Sequence, residues 1–142
     1  MSSLPPPIPN KDDDHLNLLA TFHYIVGGLG ALFACFPLIH VFIGMMMILQ
    51  PEFMAGKEGS APPAFMGFLF AGIGIVFVLL GWAAAICTIV SGRMLARRRH
   101  RMFSFVMAAF LCMFMPFGTV LGIFTIIVLS RESVRRLYGE TV

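Results

Sequence analysis

The chain is 142 residues long, 58% hydrophobic and 12% charged, with 15 Phe, 11 Met and a formal net charge of +3. Disorder needs the opposite balance, and an ordinary soluble domain carries roughly 25% charged residues. A mean hydropathy of +0.89 in so short a chain leaves more apolar surface than one core can hide from water, so the expectation is an all-α integral membrane protein.

Charge is unevenly placed. Of the ten Lys and Arg, eight lie from Arg93 onward. Arg93, Arg97, Arg98, Arg99 and Arg101 stand between two apolar segments, the usual position of a cytoplasmic basic loop. A basic balance can also mark a nucleic-acid binder, but here it has no soluble domain to carry it, and no nucleic-acid partner is expected. The three cysteines, Cys35, Cys87 and Cys112, fall one in each apolar segment, which reads as inert thiols and not as a disulfide framework.

Residues 1–15 read as an extended, solvated tail, with Pro5, Pro6, Pro7 and Pro9 followed by Lys11 to Asp14. Three acids stand where a signal peptide needs basic residues, so the first apolar segment is expected to be retained as an anchor. That segment spans 16–49 without Asp, Glu, Lys or Arg, exceeds the roughly 20 residues that cross a bilayer, and should kink at Pro37. A short loop rich in Pro and Gly follows. The second helix is expected over 64–96, unbroken by proline. The third segment, 102–130, is broken at Pro116 into helices near 102–114 and 117–130. In 131–142, Val134, Leu137 and Tyr138 recur at i, i+3 and i+4 among basic residues, which predicts an amphipathic helix lying on the membrane surface.

Both basic clusters ask to be cytoplasmic, yet the third segment separates them. A single kinked crossing would put one on the wrong side; a turn back at Pro116 would keep both on one side. Charge bias favours the turn back, although arms of 13–14 residues reach only about 20 Å. Arg97, Arg98, Arg99, Arg101, Arg135 and Arg136 are then the expected anchors at the anionic surface.

The most specific pattern is a seam of small residues. Gly67, Gly74, Gly81 and Thr88 repeat every seven residues, with Ala71, Ala85 and Gly92 interleaved. In lipid, helices associate by close van der Waals approach, which small residues permit. The partner could be the first segment, where Gly27, Ala31 and Ala34 form a shorter small face, or another chain. Gly118 and Gly122 add a weaker GxxxG.

His23 and His40 are the ionisable side chains well inside an apolar segment, and such residues suggest function. They lie 17 residues apart, about 25 Å along a helix, so one chain could not offer both to a haem; a partner ligand would be required. The plainer reading has His40, just past Pro37, donating to a freed carbonyl or to a neighbouring helix. Met45, Met46 and Met47, with Cys112, Met113 and Met115, are soft ligands suited to Cu(I), but adjacent methionines diverge round a helix and read as packing residues. No nucleophile–base, zinc or phosphate-loop motif is present. No cofactor, metal or enzymatic activity is expected.

Gly92-Arg93, the arginine run, Met115-Pro116-Phe117-Gly118-Thr119-Val120-Leu121-Gly122-Ile123-Phe124-Thr125, Val128-Leu129 and Ser133-Val134 resemble a C-terminal module of small, uncharacterised bacterial multi-pass membrane proteins. The resemblance implies a bacterial inner-membrane location and brings no activity. The functional expectation is a non-enzymatic accessory or structural subunit, partnered by the bilayer and by other membrane subunits or itself. A small homo-oligomeric channel or transporter, whose path only Thr21, His23, His40, Thr88, Thr119 and Thr125 could line with polar groups, is the alternative, and a haem-binding redox subunit a second.

Overall fold

Lys11-Asp12-Asp13-Asp14 puts three carboxylates into the first turn of a helix, where the unpaired amides and the positive end of the macrodipole favour them. The first helix of the computed structural model, α1 (Lys11–Phe33), accordingly begins there, five residues before the expected start. Five residues assigned by sequence to the tail, Lys11 to His15, are therefore helical. The structure describes residues 11–55, 59–61 and 63–139; the proline-rich stretch 5–9 and the end of the C-terminal tail lie outside them.

Pro37 lacks an amide proton and cannot continue the ladder of a preceding helix. Around the proline expected to kink the segment, the regular α-helix gives way to a four-residue turn, while the apolar stretch runs on as one span-length segment. α1 ends at Phe33, and Cys35 and Phe36 donate to Leu32 and Phe33 at 3.1 and 3.0 Å in a tight turn. α2 (Leu38–Leu49) follows, then the single turn α3 (Pro51–Met54). α4 (Ala64–Ala96) runs 33 residues without interruption. The remaining helices are α5 (Arg101–Leu111), α6 (Phe117–Ser130) and α7 (Glu132–Leu137), and no strand occurs among the described residues. Two stretches, Lys11–Leu49 and Ala64–Ala96, are long and apolar enough to cross a membrane, with hydropathy of 2.3 and 2.6.

The helices form two compact units, one of residues up to Gly27 with Cys87 onward, the other of Gly28–Ile86. In the first, α5 and α6 fold back on each other. Arg101 Nε donates to the Leu129 carbonyl at 3.0 Å, and Thr119 Oγ1 donates to the Cys112 carbonyl at 2.9 Å across the break. The Gly118–Gly122 pair makes this approach possible. A Cβ at Gly118 would stand 2.5 Å from the Leu111 carbonyl oxygen, and one at Gly122 would collide with that of Ala108. α5 and α6 are thus the two arms of a helical hairpin. Its arms of 11 and 14 residues reach about 16 and 21 Å, at 1.5 Å per residue.

The core of this unit gathers Leu16, Leu19 and Ala20 of α1, Leu95 of α4, Leu111 of α5, Leu121, Val128 and Leu129 of α6, and Val134 of α7. Leu137 and Tyr138 pack against it. This departs from the surface-lying tail helix of the sequence reading. The i, i+3, i+4 face is present, but it is spent on the protein's own core.

The second unit is built on close backbone approach. A Cβ at Gly44 would lie 2.5 Å from the Ala71 nitrogen and 2.6 Å from the Gly67 carbonyl oxygen. Its interior is small and its outer surface is large and apolar: Phe65 is 71% exposed, Leu79 65% and Phe68 64%.

Candidate functional site

Three features carry the chemistry of the described residues: the small-residue seam, a buried polar group around His23, and a basic end.

In the second unit the seam lies against its own chain. A Cβ at Gly67 would meet the Ile48 side chain at 2.7 Å, one at Gly74 would meet Val41 at 2.8 Å, and one at Gly81 would meet the Ala34 Cβ at 2.7 Å. Ala71 presents its backbone to Gly44, and Ala85 faces Gly30 at 3.9 Å. In the first unit, Thr88 is buried, and a Cβ at Gly92 would come within 2.8 Å of the His23 Cβ and 3.0 Å of the Ala20 carbonyl oxygen. The named positions Gly67, Gly74, Gly81 and Gly92 are therefore occupied by intramolecular contacts. Gly44, which no repeat marked, is the tightest of the second unit. Its signal was its place as a lone glycine in the bulky run Phe42-Ile43-Gly44-Met45.

His23 is fully buried, and its Nδ1 lies 2.9 Å from the Leu19 carbonyl oxygen. A carbonyl only accepts, so Nδ1 carries a proton and donates. Nε2 is itself buried without a hydrogen-bond partner, as are the hydroxyls of Ser91 and Ser104. Gly92 is what admits the ring, because any larger residue there would press on the His23 Cβ. No solvent-sized space borders Nε2, so a haem could reach it only if the helices parted. Sequence reasoning named His23, Thr88 and Thr125 but passed over Ser91 and Ser104. Ser91 follows Thr88 by three residues and precedes Leu95 by four, the spacing of one helix face.

His40 is different. Its side chain is exposed and its ring stacks on Phe70, with centroids 6.0 Å apart and planes 18° from parallel. Of the two expected partners, a freed carbonyl and a neighbouring helix, the ring meets the neighbouring helix α4, by stacking on Phe70; it is the His23 ring that lies against a carbonyl. Of the polar groups considered for a conduction path, Thr21 and His40 are exposed, Thr119 is half-buried, and His23, Thr88 and Thr125 are buried. Met45 is exposed and Met47 buried, and Met113 and Met115 are 79% and 84% exposed. Among the described residues no group of three or more His, Cys, Asp or Glu could hold a metal ion.

The basic end belongs wholly to the first unit. Arg98 pairs with Asp13 at 2.6 Å and Arg131 with Asp12 at 3.6 Å. The acids read as solvated tail thus tie the start of α1 to both basic clusters. Arg97, Arg98, Arg99 and Arg136 are exposed, and Arg101 and Arg135 are half-buried. α4 closes with Arg99 N–H donating to the Met94 carbonyl at 3.1 Å, and Arg98 and His100 take left-handed conformations, with φ of 50° and 51°. Tyr138 stands beside this turn. Burial pushes its phenol above the ordinary range, while the charges of Arg101 and Arg98 pull it down.

No family model, curated protein or solved structure matches this chain.

Proposed function

We propose that the chain is a non-enzymatic multi-pass membrane protein, acting as an accessory or structural subunit. One observation carries the reading, the inverted distribution of side chains. Gly67, Gly74, Ala85, Gly92 and Ser91 are inside, while Phe65, Phe68, Phe77, Leu79 and Leu80 are 59–71% exposed. In water, burying each such side chain would be worth about 1.5–3 kcal/mol, and a soluble fold would not forgo that gain so many times. In hydrocarbon there is no such gain, and close contact among small residues is what holds helices together.

In this reading α4 and the first segment cross the bilayer, and the α5–α6 hairpin enters from the arginine side without reaching the other face. Its backbone is tolerated there because it is packed in protein. The arginines mark the cytoplasmic side, in a bacterial inner membrane as the C-terminal resemblance implies. The seam glycines are taken up within the chain, so association with a larger complex or a second copy runs through the outward Phe and Leu faces. Alkaline washing of native membranes, followed by detergent extraction and co-purification with cross-linking, tests this. The chain should resist the wash and come out with a discrete protein partner or as a defined oligomer. Release into buffer without detergent, or recovery as a lone monomer after cross-linking, would refute it.

A further inference from the structure

Between Arg101 and Arg131 the chain carries no Asp, Glu, Lys, Arg or His. The inner faces of α5 and α6 close on each other and on the core, yet the outward faces are apolar as well. Val106 and Phe110 of α5 and Val120, Phe124 and Ile127 of α6 are exposed. A helix that is apolar on its outward side too belongs within a large protein or in a bilayer. Exposure peaks where the hairpin turns: Met113, Met115 and Phe117 are 78–84% exposed.

Both feet of the hairpin stand at one level, fixed by the bond from Arg101 Nε to the Leu129 carbonyl at 3.0 Å. Arg99 and Arg101 flank one foot and Arg131 the other. From there, 11 and 14 residues of helix reach about 16–21 Å, against roughly 15 Å for half of a bilayer core. Peptide groups must be hydrogen-bonded to sit at such a depth. Here the amides of Cys112, Met113 and Phe114 donate to the carbonyls of Ala108, Phe110 and Leu111 at 2.9–3.1 Å. Pro116 has no amide to satisfy. The carbonyls of Cys112, Phe114 and Pro116 accept from Thr119 Oγ1, Thr119 N–H and Val120 N–H. What the turn offers outward is large apolar side chains.

We infer that the α5–α6 hairpin is a wedge confined to the leaflet on the arginine side, with Met113, Met115 and Phe117 seated among acyl chains near the bilayer midplane, and that it biases the protein toward membrane that bulges toward that side. The inference rests on the membrane reading above. Lys11–Leu49 and Ala64–Ala96 are long enough to cross, so they take similar area from both leaflets. α5 ends at Leu111 and α6 starts at Phe117, so the hairpin takes area from one leaflet only. Two helices of 10–12 Å diameter displace on the order of 200 Å² there. A leaflet expanded alone is relieved by bending outward, which is why one-sided insertion responds to curvature.

The test uses the full-length protein, without native cysteines, in giant phosphatidylcholine vesicles from which thin membrane tubes are drawn. An impermeant dye added outside to Gly139→Cys marks only molecules whose basic end faces out. The same dye on Ser60→Cys marks those inserted the other way. The density ratio of tube to vesicle should exceed one for the first population and fall below one for the second. Replacing Met113, Met115 and Phe117 together by Ala should move both ratios toward one, whereas Phe65→Ala with Phe68→Ala, on a crossing helix, should not. A fluorophore on Met115→Cys should be quenched most by lipid carrying a nitroxide at the acyl-chain end. Ratios of one for both populations would overturn the wedge, as would equal effects of the two sets of alanines. A Met115 fluorophore quenched by aqueous iodide, in protein that survives an alkaline wash, would overturn the hairpin's depth while the membrane reading stands. Release of the protein by that wash would remove the membrane reading and the wedge together.

Discussion

Arg101 and Leu129 are 28 residues apart in sequence, yet the Arg101 Nε–H reaches the Leu129 carbonyl at 3.0 Å. The start of α5 and the end of α6 are therefore side by side. Arg131 continues the pattern by approaching Asp12 at 3.6 Å, so the N-terminal turn of α1, the α4–α5 turn and the approach to α7 share one end of the unit. α4 has 33 residues, more than the roughly 20 that cross a bilayer core. If the chain spans a membrane, single cysteines introduced at His100 and Gly139 in a background without native cysteines should react with an impermeant maleimide from the same side, and one at Ser60 from the opposite side. Opposite labelling of His100→Cys and Gly139→Cys would mean that the hairpin does not persist in the bilayer.

The glycines of the second unit divide sharply by what surrounds them. A Cβ at Gly44 would press on the backbone of α4 at 2.5 and 2.6 Å, and neither atom can move without moving the helix. A Cβ at Gly72 meets nothing within 4 Å. Gly44→Ala should therefore destabilise by about 1–3 kcal/mol, the usual cost of overpacking. Gly72→Ala should be neutral or stabilise by about 0.5–1 kcal/mol through helix propensity. Thermal unfolding in detergent by circular dichroism reads both. Gly74→Leu and Gly81→Leu, whose neighbours belong to the same chain, should loosen the fold and leave the oligomer size of any surviving folded protein unchanged. Similar melting of Gly44→Ala and Gly72→Ala would show that α2 and α4 do not approach as closely as described.

Much of this was legible in the sequence because it depends on local rules. Proline marks at 37 and 116, the long proline-free run of α4 and the heptad of small residues each act within a few residues. What escaped were matters of partnership. Asp12 and Asp13 look like tail until Arg131 and Arg98 are brought beside them, 119 and 85 residues later in the chain. Val134, Leu137 and Tyr138 form a correct amphipathic face, but periodicity does not say whether lipid or protein covers it. His23 and His40 look alike in sequence. Only the glycine opposite one and the phenylalanine opposite the other make the first a closed interior group and the second an exposed one.

The Asp13–Arg98 pair is short but its side chains are 31% and 41% exposed. Exposed pairs of this kind contribute about 0.2–1 kcal/mol and are screened by salt. A double-mutant cycle of Asp13→Asn and Arg98→Gln should give a coupling energy within that range at low ionic strength, shrinking toward zero in about 1 M salt, where the Debye length falls to about 3 Å. A coupling that salt does not change would mean that the pair is shielded from water, for instance by an anion or headgroup seated over Arg98.

Tyr138 gives the fold a dependence on alkaline pH. The native phenol holds its proton to higher pH than the unfolded chain, whose tyrosines titrate near 10. The cause is chiefly burial, only partly opposed by Arg101 and Arg98. An acid whose native pKa is raised contributes stability that is complete below the unfolded value and is lost as pH climbs through the folded one. Melting temperature in detergent should therefore fall more steeply above about pH 10 in the parent than in Tyr138→Phe, with the two curves parallel below that pH. The difference in phenolate absorbance between the two proteins should place the Tyr138 transition above that of the denatured chain. Removing the opposing charge with Arg101→Gln should move that transition higher still. A transition at or below the denatured value, or melting curves that stay parallel throughout, would mean that Tyr138 is open to water and that α7 does not pack on the core.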